Sequence, residues 1–487
     1  MKKFFSFIII FLMLFLITSC KEEVLTIKIY NCVDYIDEEV LDQFVEWYKD
    51  RHNGEEIEVV YDTYETNESM YNTLRSGKTS YDLCCPSDYM IQKMIRENMV
   101  EEFDGSKLDI YRQNCSPYIL NLFEEQGWTN FAACYMWGTL GIIYNPSILG
   151  ELMDTKNDDG EYEYDVESWE DFNNPKFKGV ISLKDSVRDS YCVAQILANK
   201  DMLMENIEIT DDEIIYSDNY NQLIQETINR VSNEDIEKAE KELRRMKPNL
   251  FGLEVDSAKG DIVTGKIAMN LAWSGDAVYS IELAAEEDIE LRYTVPIEGG
   301  NVWFDGWVMP KGANKELALE FINFLSQPEI AVLNMNEIGY TSPIAGDAIF
   351  ELIKEWYGEG SLDEGEDIND YEFEEFDLSY FFGDTLSEEY QEEVKKVKIE
   401  SSNVGSGFTA QYPDEDTLIR CGVMEDFKDQ NEAVLQMWIN FRANKASTTL
   451  IIALILFVLL CVVVFLFSKK SYIERVLRAK KAVKQNK

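Results

Sequence analysis

The sequence predicts an α/β protein of two lobes followed by a transmembrane helix. Three observations carry this expectation. The 487 residues exceed what a single hydrophobic core usually serves. Short β-branched runs alternate with amphipathic helical patterns along most of the chain. Residues 449–467 carry no charge, and about 19 residues at a rise of 1.5 Å span a bilayer's hydrocarbon layer.

The opening unit is a strand over 24–30, a polar stretch over 31–37 and an amphipathic helix over 38–48. A second strand at 57–61 precedes a helix over 69–76. A third at 82–85 runs through Pro86, Ser87 and Asp88 into a helix over 89–97. Such repeated β-α units imply a parallel sheet with helices on both faces, and ligands bind beyond the carboxyl ends of its strands. The loops at 31–35 and 86–89 are therefore the first places to look. A glycine-containing apolar strand follows at 134–145. A second β-α set begins near Trp169, with a strand at 180–183 leading into Lys184, Asp185, Ser186, Val187, Arg188 and Asp189. The strand at 267–272 ends in Trp273-Ser274-Gly275-Asp276, a crossing back is suggested at 306–310, and a helix covers 317–326. Over 348–400 the composition shifts to glutamate, aspartate and aromatics. This reads as an insertion, part helix and part mobile loop, either drawing cations toward a cleft mouth or forming a solvated excrescence.

Composition narrows the function. A net charge of −46 repels phosphate backbones, which excludes nucleic acid as a partner. Hydrophobic residues at 46% argue against a disordered acidic chain. The single histidine, His52, lies in a charged helix-end pattern, so histidine-dependent triads and metal sites are hard to build. No CxxC spacing suggests zinc, and Cys84 and Cys85 sit where a buried strand would place valines.

The two ends set the location. Lys2 and Lys3, an apolar run over 4–17 and the small residues after it form a secretory signal. Its ending, Ile17-Thr18-Ser19-Cys20, resembles a bacterial lipoprotein box, which implies lipidation of Cys20; the alternative is an ordinary signal with an incidental cysteine. After 449–467 come eight basic residues opposed by Glu474 alone, so the tail belongs on the cytoplasmic side and the bulk of the chain outside.

Collecting residues at strand ends gives Asp34, Tyr35, Ser87, Asp88, Tyr89, Asp189, Trp273, Asp276, Trp303, Asp305 and Tyr340. Carboxylates alternating with rings suit a linear polyammonium ligand, because ammonium groups seek desolvated carboxylates and ring faces while methylenes seek apolar walls. Each residue also has an ordinary alternative: core aromatics for Trp273 and Trp303, helix caps for Asp34 and Asp189, a turn or cap for Ser87.

The segments Tyr30-Asn31-Cys32-Val33-Asp34-Tyr35, Thr63-Tyr64-Glu65-Thr66-Asn67-Glu68-Ser69-Met70-Tyr71, Tyr81-Asp82-Leu83-Cys84-Cys85-Pro86-Ser87-Asp88-Tyr89, Trp273-Ser274-Gly275-Asp276 and Ile338-Gly339-Tyr340-Thr341-Ser342-Pro343 resemble the spermidine/putrescine-binding proteins of bacterial ABC importers. The likeness implies a two-lobed periplasmic-binding-protein fold, type II-like, with two crossovers. Lobe 1 would be 24–140 and 303–347, lobe 2 141–300 and 401–445, with the acidic insertion at 348–400, the transmembrane helix at 449–467 and the basic tail at 468–487. It also implies aromatic walls from Tyr35, Tyr89, Trp273, Trp303 and Tyr340, ammonium partners in Asp34, Asp189, Asp276 and Asp305, and a hydrogen bond from Ser87. Cys32 stands where the family commonly has tryptophan, Val33 replaces a hydroxyl residue, and Ser186 occupies a position some spermidine binders fill with aspartate; fewer acids at one end count against the longer triamine.

The expected activity is capture of a polyamine, putrescine or spermidine, and its delivery to a permease with separate ATPase subunits, since no GxxxxGK[ST] loop occurs in this chain. A monomer with no cofactor is expected. The rivals are a polyamine sensor signalling through the transmembrane helix and a surface glycan hydrolase using Asp276 and Asp305.

Overall fold

The structure is a computed structural model that describes residues 24–210, 213–362 and 367–443. The signal over 1–20 with Cys20, the membrane helix over 449–467 and the tail over 468–487 lie outside the described residues. Among the described residues no helix is long and apolar enough to cross a membrane. The chain divides into two compact units, Met1–Leu435 and Gln436–Lys487. In the second, the rings of Trp438 and Phe441 lie 5.1 Å apart. The sheet and the site belong to the first.

In chain order the strands are β1 Leu25–Cys32, β2 Ile57–Tyr64, β3 Leu83–Cys84, β4 Ala132–Tyr144, β5 Ile181–Lys184, β6 Ile207–Ile209, β7 Ile214–Tyr216, β8 Leu250–Glu254, β9 Met269–Trp273, β10 Arg292–Thr294, β11 Gly300–Val308, β12 Phe373–Phe376, β13 Val397–Glu400 and β14 Cys421–Gly422. The main sheet runs β2-β1-β3-β11-β4-β9-β5-β8, with β10 on β4 and β14 on β11. At one end β2, β1 and β3 are parallel; at the other β8, β5 and β9 are parallel. Between them β4 and β11 pair antiparallel along most of their length and carry the chain from one end to the other.

The wholly parallel sheet expected from sequence is thus corrected to a mixed one. The β-α units do give parallel pairs, but the two long strands cross from one end of the sheet to the other and run antiparallel to each other; β11 also meets β3, and β4 meets β9 and β10, antiparallel. All thirteen residues of β4 are buried, so both faces are covered and the strand shows no polar alternation. The helix Glu39–Arg51 illustrates the outer layer: Val40, Phe44 and Tyr48 repeat every four residues on its buried face, with Glu39 and Asp42 in its first turn and Lys49 and Arg51 in its last, complementing the helix dipole.

The acidic stretch is a packed element rather than an excrescence or mobile loop in its described part. The helix Asp347–Tyr357 leads to the antiparallel pair β12/β13, and Leu378, Phe381, Phe382, Val394, Val397 and Ile399 are buried. Phe381 stacks on Trp137 of β4 at 5.7 Å. The aromatics turn inward while Glu374 and Glu375 stay exposed, which is how one segment is both acidic and part of the core.

Past this element the chain returns along the middle of the sheet. Cys421 and Gly422 pair with Gly300 and Asn301. Asn221 and Gln225 of the helix Tyr220–Ile228, with Asn229 just past its end, bind the backbone of Cys421, Val423 and Glu425. From the other side, Gln92 of the helix Asp88–Arg96 donates to Met424 and accepts from Asp426, and Arg96 pairs with the Asp426 carboxylate.

Candidate functional site

At the carboxyl end of β1 the chain turns sharply. Asp34 adopts φ +52°, in the left-handed region that Asn and Asp tolerate best, and lies exposed. Tyr35 then re-enters the interior, where its carbonyl accepts hydrogen bonds from Asn31 Nδ2 and Tyr135 Oη, both at 3.0 Å. With the loop held there, Tyr35 Oη donates to Asp305 Oδ2 at 2.7 Å.

Ser87 occupies the cap position of the helix Asp88–Arg96, yet its side chain makes no capping bond. Its Oγ accepts from Asn67 Nδ2 at 2.9 Å and its N–H donates to Asn67 Oδ1 at 3.1 Å. That orientation directs the hydroxyl to Asp305, with which Ser87 also forms a backbone bridge. Asp305 sits where β11 slips register against β4, between Asp305 and Gly306; such bulges re-aim a side chain. Burial raises its pKa to about 6, against the lowering effect of the Ser87 and Tyr35 hydrogen bonds, and the charge of Asp189 adds to the rise.

On the opposite side β9 ends at Trp273 and the helix Ser274–Ala285 begins. Asp276, in its first turn, is buried. Its Oδ1 accepts from Tyr340 Oη at 2.8 Å and its Oδ2 from Lys184 Nζ at 2.7 Å. Gly339, at φ +71°, ends the helix Pro328–Ile338 and turns the chain so that Tyr340 reaches this point. Gly275 is required by the same approach, since a Cβ there would penetrate the Tyr340 ring. Trp303 is anchored by its indole N–H on the Thr139 carbonyl at 3.1 Å, with its ring 5.7 Å from that of Tyr340. Tyr340 in turn meets Tyr35 edge-on at 5.2 Å, so a continuous line of rings joins the two carboxylates.

Asp189 lies buried in the first turn of the helix Val187–Ala198, whose cap is Ser186 rather than Asp189. Burial raises its pKa, opposed by hydrogen bonds from Ser186 and the Trp273 indole and by the charges of Lys184 and Arg188. Asp88 directs Oδ1 at the Tyr89 N–H, 2.6 Å away, and burial pushes its pKa well above the usual carboxylate range. Tyr89 reaches Glu68 through its hydroxyl at 3.2 Å and carries the Arg188 guanidinium 4.8 Å from its ring centre.

The structure therefore brings together Tyr35, Ser87, Asp305, Trp303, Tyr340, Asp276, Trp273 and Asp189, with Tyr89 beside them. Asp34 stays at the rim, outside this hydrogen-bond network. It caps no helix either: Asp37, not Asp34, accepts the N–H of Glu39 at the start of the next helix. Its charge is felt at Cys32, whose thiol is pushed up to about 12 by burial and then by Asp305, Asp276 and Asp34, which marks Cys32 as lying among the site's carboxylates.

Two buried cations were missed from the sequence. Lys184 is the last residue of β5; besides Asp276 it donates to the Val255 carbonyl at 2.8 Å, lies 3.7 Å from Glu254 Oε1 and sits 4.3 Å from the Trp273 ring centre. Burial alone would lower its pKa, but Asp276 and Glu254 more than offset this and raise it. Arg188 lies 3.6 Å from the Phe427 ring centre and donates to the Glu425 carbonyl at 2.5 Å. The hint for Lys184 was its place at the end of an apolar strand, where a long cationic chain has to find a buried partner.

The sequence profile of bacterial extracellular solute-binding proteins matches residues 43–349. The spermidine/putrescine-binding periplasmic protein of Escherichia coli is 31% identical over 321 residues, covering 65% of this chain and 77% of that protein. The putrescine-binding periplasmic protein SpuD of Pseudomonas aeruginosa is 28% identical over 308 residues, covering 62% and 74%. Among solved structures, a spermidine/putrescine ABC transporter substrate-binding protein from Streptococcus pneumoniae superposes with a TM-score of 0.56 at 27% identity, covering 86% of this chain and 98% of that one. The Tp0655 lipoprotein of Treponema pallidum shares the fold, with a TM-score of 0.57 at 18% identity over 86% and 99%. These neighbours bear out the two-lobed α/β fold of periplasmic binding proteins.

Proposed function

As the chain belongs to the bacterial extracellular solute-binding proteins, a family that binds solutes and does not transform them, we propose that it captures a polyamine between two lobes and hands it to an ABC permease. One observation carries the ligand class. Buried and half-buried carboxylates follow a line of rings: Tyr35 donates to Asp305, the Trp273 indole to Asp189 and Tyr340 to Asp276, and Tyr35 and Tyr340 touch edge-on. Partly desolvated carboxylates joined by rings favour ammonium ends and methylene spacers together. A micromolar complex needs about 8 kcal/mol net, within reach of two ion pairs and aromatic walls after association costs. The glycan-hydrolase rival loses its acid–base pair as well as its family support: Asp276 is engaged by Lys184 and Tyr340, leaving it unsuited to activating water.

In this reading lobe 1 comprises 24–140 and 303–347, and lobe 2 comprises 141–300 and 401–445. The signal delivers the chain outward, lipid on Cys20 and the helix over 449–467 hold a monomer at the membrane, and the tail over 468–487 stays cytoplasmic. Calorimetric titration of the full-length protein in a non-ionic detergent at low salt, with putrescine, spermidine and spermine, tests the ligand class. Saturable heat with at least one is expected; indifference to all three would sink it.

A further inference from the structure

We infer that Lys184 is a resident ammonium group, occupying one of the site's own cation positions and restricting the ligand to two positive charges, a diamine in preference to a triamine. The inference deepens the polyamine reading and rests on it.

Lys184 is 1% exposed, and its ammonium sits between a carboxylate and a tryptophan ring, the surroundings a ligand ammonium would seek: Asp276 Oδ2 at 2.7 Å and the Trp273 centre at 4.3 Å. The Val255 carbonyl at 2.8 Å and Glu254 at 3.7 Å complete its shell. The ammonium donates to Asp276 Oδ2 and to the Val255 carbonyl, and Glu254 adds its charge from 3.7 Å, so little drives it toward solvent when a ligand arrives. Breaking a buried pair of this kind is strongly unfavourable, because it leaves a buried charge without a partner.

Charge matching then limits the ligand. Lys184 answers Asp276 and Glu254. Asp88 is turned to the backbone of its own helix, where burial favours its protonated form. Arg188 makes no ion pair within 4 Å among the described residues, but its charge acts on Asp189, so Lys184 and Arg188 together set two positive charges against the four carboxylates Asp276, Glu254, Asp189 and Asp305 and leave two negative charges for a ligand. Among the described residues Asp189 and Asp305 are the buried or part-buried carboxylates of the cluster that enter no ion pair and stand within electrostatic reach of each other. Two carboxylates match a dication. A third ammonium would have to approach Asp276 and meet the Lys184 charge instead.

The test compares putrescine and spermidine on the full-length protein and on Lys184→Met. The unmutated protein should favour putrescine, and the variant should raise the spermidine-to-putrescine affinity ratio by about tenfold or more, a change in preference that simple loss of packing does not produce. Lys184→Met/Glu254→Gln serves if the single variant unfolds, since it leaves one carboxylate, Asp276, for the incoming ammonium. A folded variant with an unchanged ratio overturns the inference, as does an unmutated protein that prefers spermidine. Binding of neither amine to the unmutated protein overturns the polyamine reading, and the inference falls with it.

Discussion

Tyr35 and Asp305, 270 positions apart in sequence, are joined by a 2.7 Å hydrogen bond from the phenol to Oδ2. It ties the loop after the first strand to the bulge in β11 and fixes the carboxylate in place. Removing the donor in Tyr35→Phe leaves the edge-on ring contacts with Tyr135 and Tyr340 intact but takes one hydrogen bond from a charged acceptor. A bond of that type contributes about 1.5 kcal/mol, so amine affinity should fall by roughly tenfold in a calorimetric titration. An unchanged affinity would place Asp305 outside the ligand's reach.

Asp305 also makes binding depend on pH. Its pKa of about 6 in the fold lies above the value of about 3.9 for an unfolded aspartate. The folded state therefore holds more protons in that window, and without ligand the group lowers stability as pH rises from about 4 to 6. A cationic ligand requires the ionised form, so affinity should be low below about pH 6, climb through it and level off above. Binding near pH 6 should release protons, visible as a heat that varies with the ionisation enthalpy of the buffer. A flat affinity from pH 5 to 8 contradicts this.

The ion pair of Lys184 with Asp276 is expected to dominate local stability. Asp276→Asn leaves the buried ammonium with Glu254 alone, and loss of one partner from a buried pair costs about 3 kcal/mol or more. In urea denaturation, Lys184→Met/Asp276→Asn should be less destabilised than the sum of the two single variants, a coupling that a double-mutant cycle reads directly. Additive effects would mean that the pair does not act as a unit.

Gly275 is the point where a single methyl group should dislodge Tyr340. A Cβ on residue 275 would enter the Tyr340 ring, and overpacking of this sort costs about 1–3 kcal/mol. Gly275→Ala should lower the melting temperature and weaken amine binding together, because Tyr340 then loses its contact with Asp276.

The cysteines give a chemical check on the packing. Burial pushes Cys115 and Cys421 up to about 12, and burial with Asp305 does the same for Cys32. Thiolate is the reactive form, so at pH 8 these three should resist iodoacetamide in the native protein and react promptly in denaturant, as peptide mapping would show. Rapid native labelling of Cys115 would contradict the burial.

Much of this site was legible because its residues follow strands. Tyr35, Ser87, Trp273 and Asp276 come at strand ends opening into helices, where α/β sheets gather ligand groups, and Asp305 and Trp303 share one face of β11 by their two-residue spacing. Lys184 was not legible in the same way. A lysine beside Asp185 reads as a solvated loop, and only the extension of β5 by one residue past 183 turns it into the core. Asp34 went the other way, because a single left-handed turn, invisible to periodicity, points it outward. The acidic stretch misled because charge dominates its composition, while the residues that decide its packing, Phe381 and Phe382 above all, are few.

The segment over 421–427 has a mechanical consequence. It is fastened to the helix Tyr220–Ile228 by amide side chains and to the helix Asp88–Arg96 by Gln92 and Arg96, so a swing of one helix against the other must stretch it. Apart from the Arg96–Asp426 ion pair, these fastenings are neutral hydrogen bonds that contribute about 1 kcal/mol each and exchange readily with water. The strip thus behaves as a soft spring between the two helices, and substitutions at Gln92, Gln225 or Asn229 would tune its stiffness without touching Tyr35, Asp305, Asp276 or Asp189.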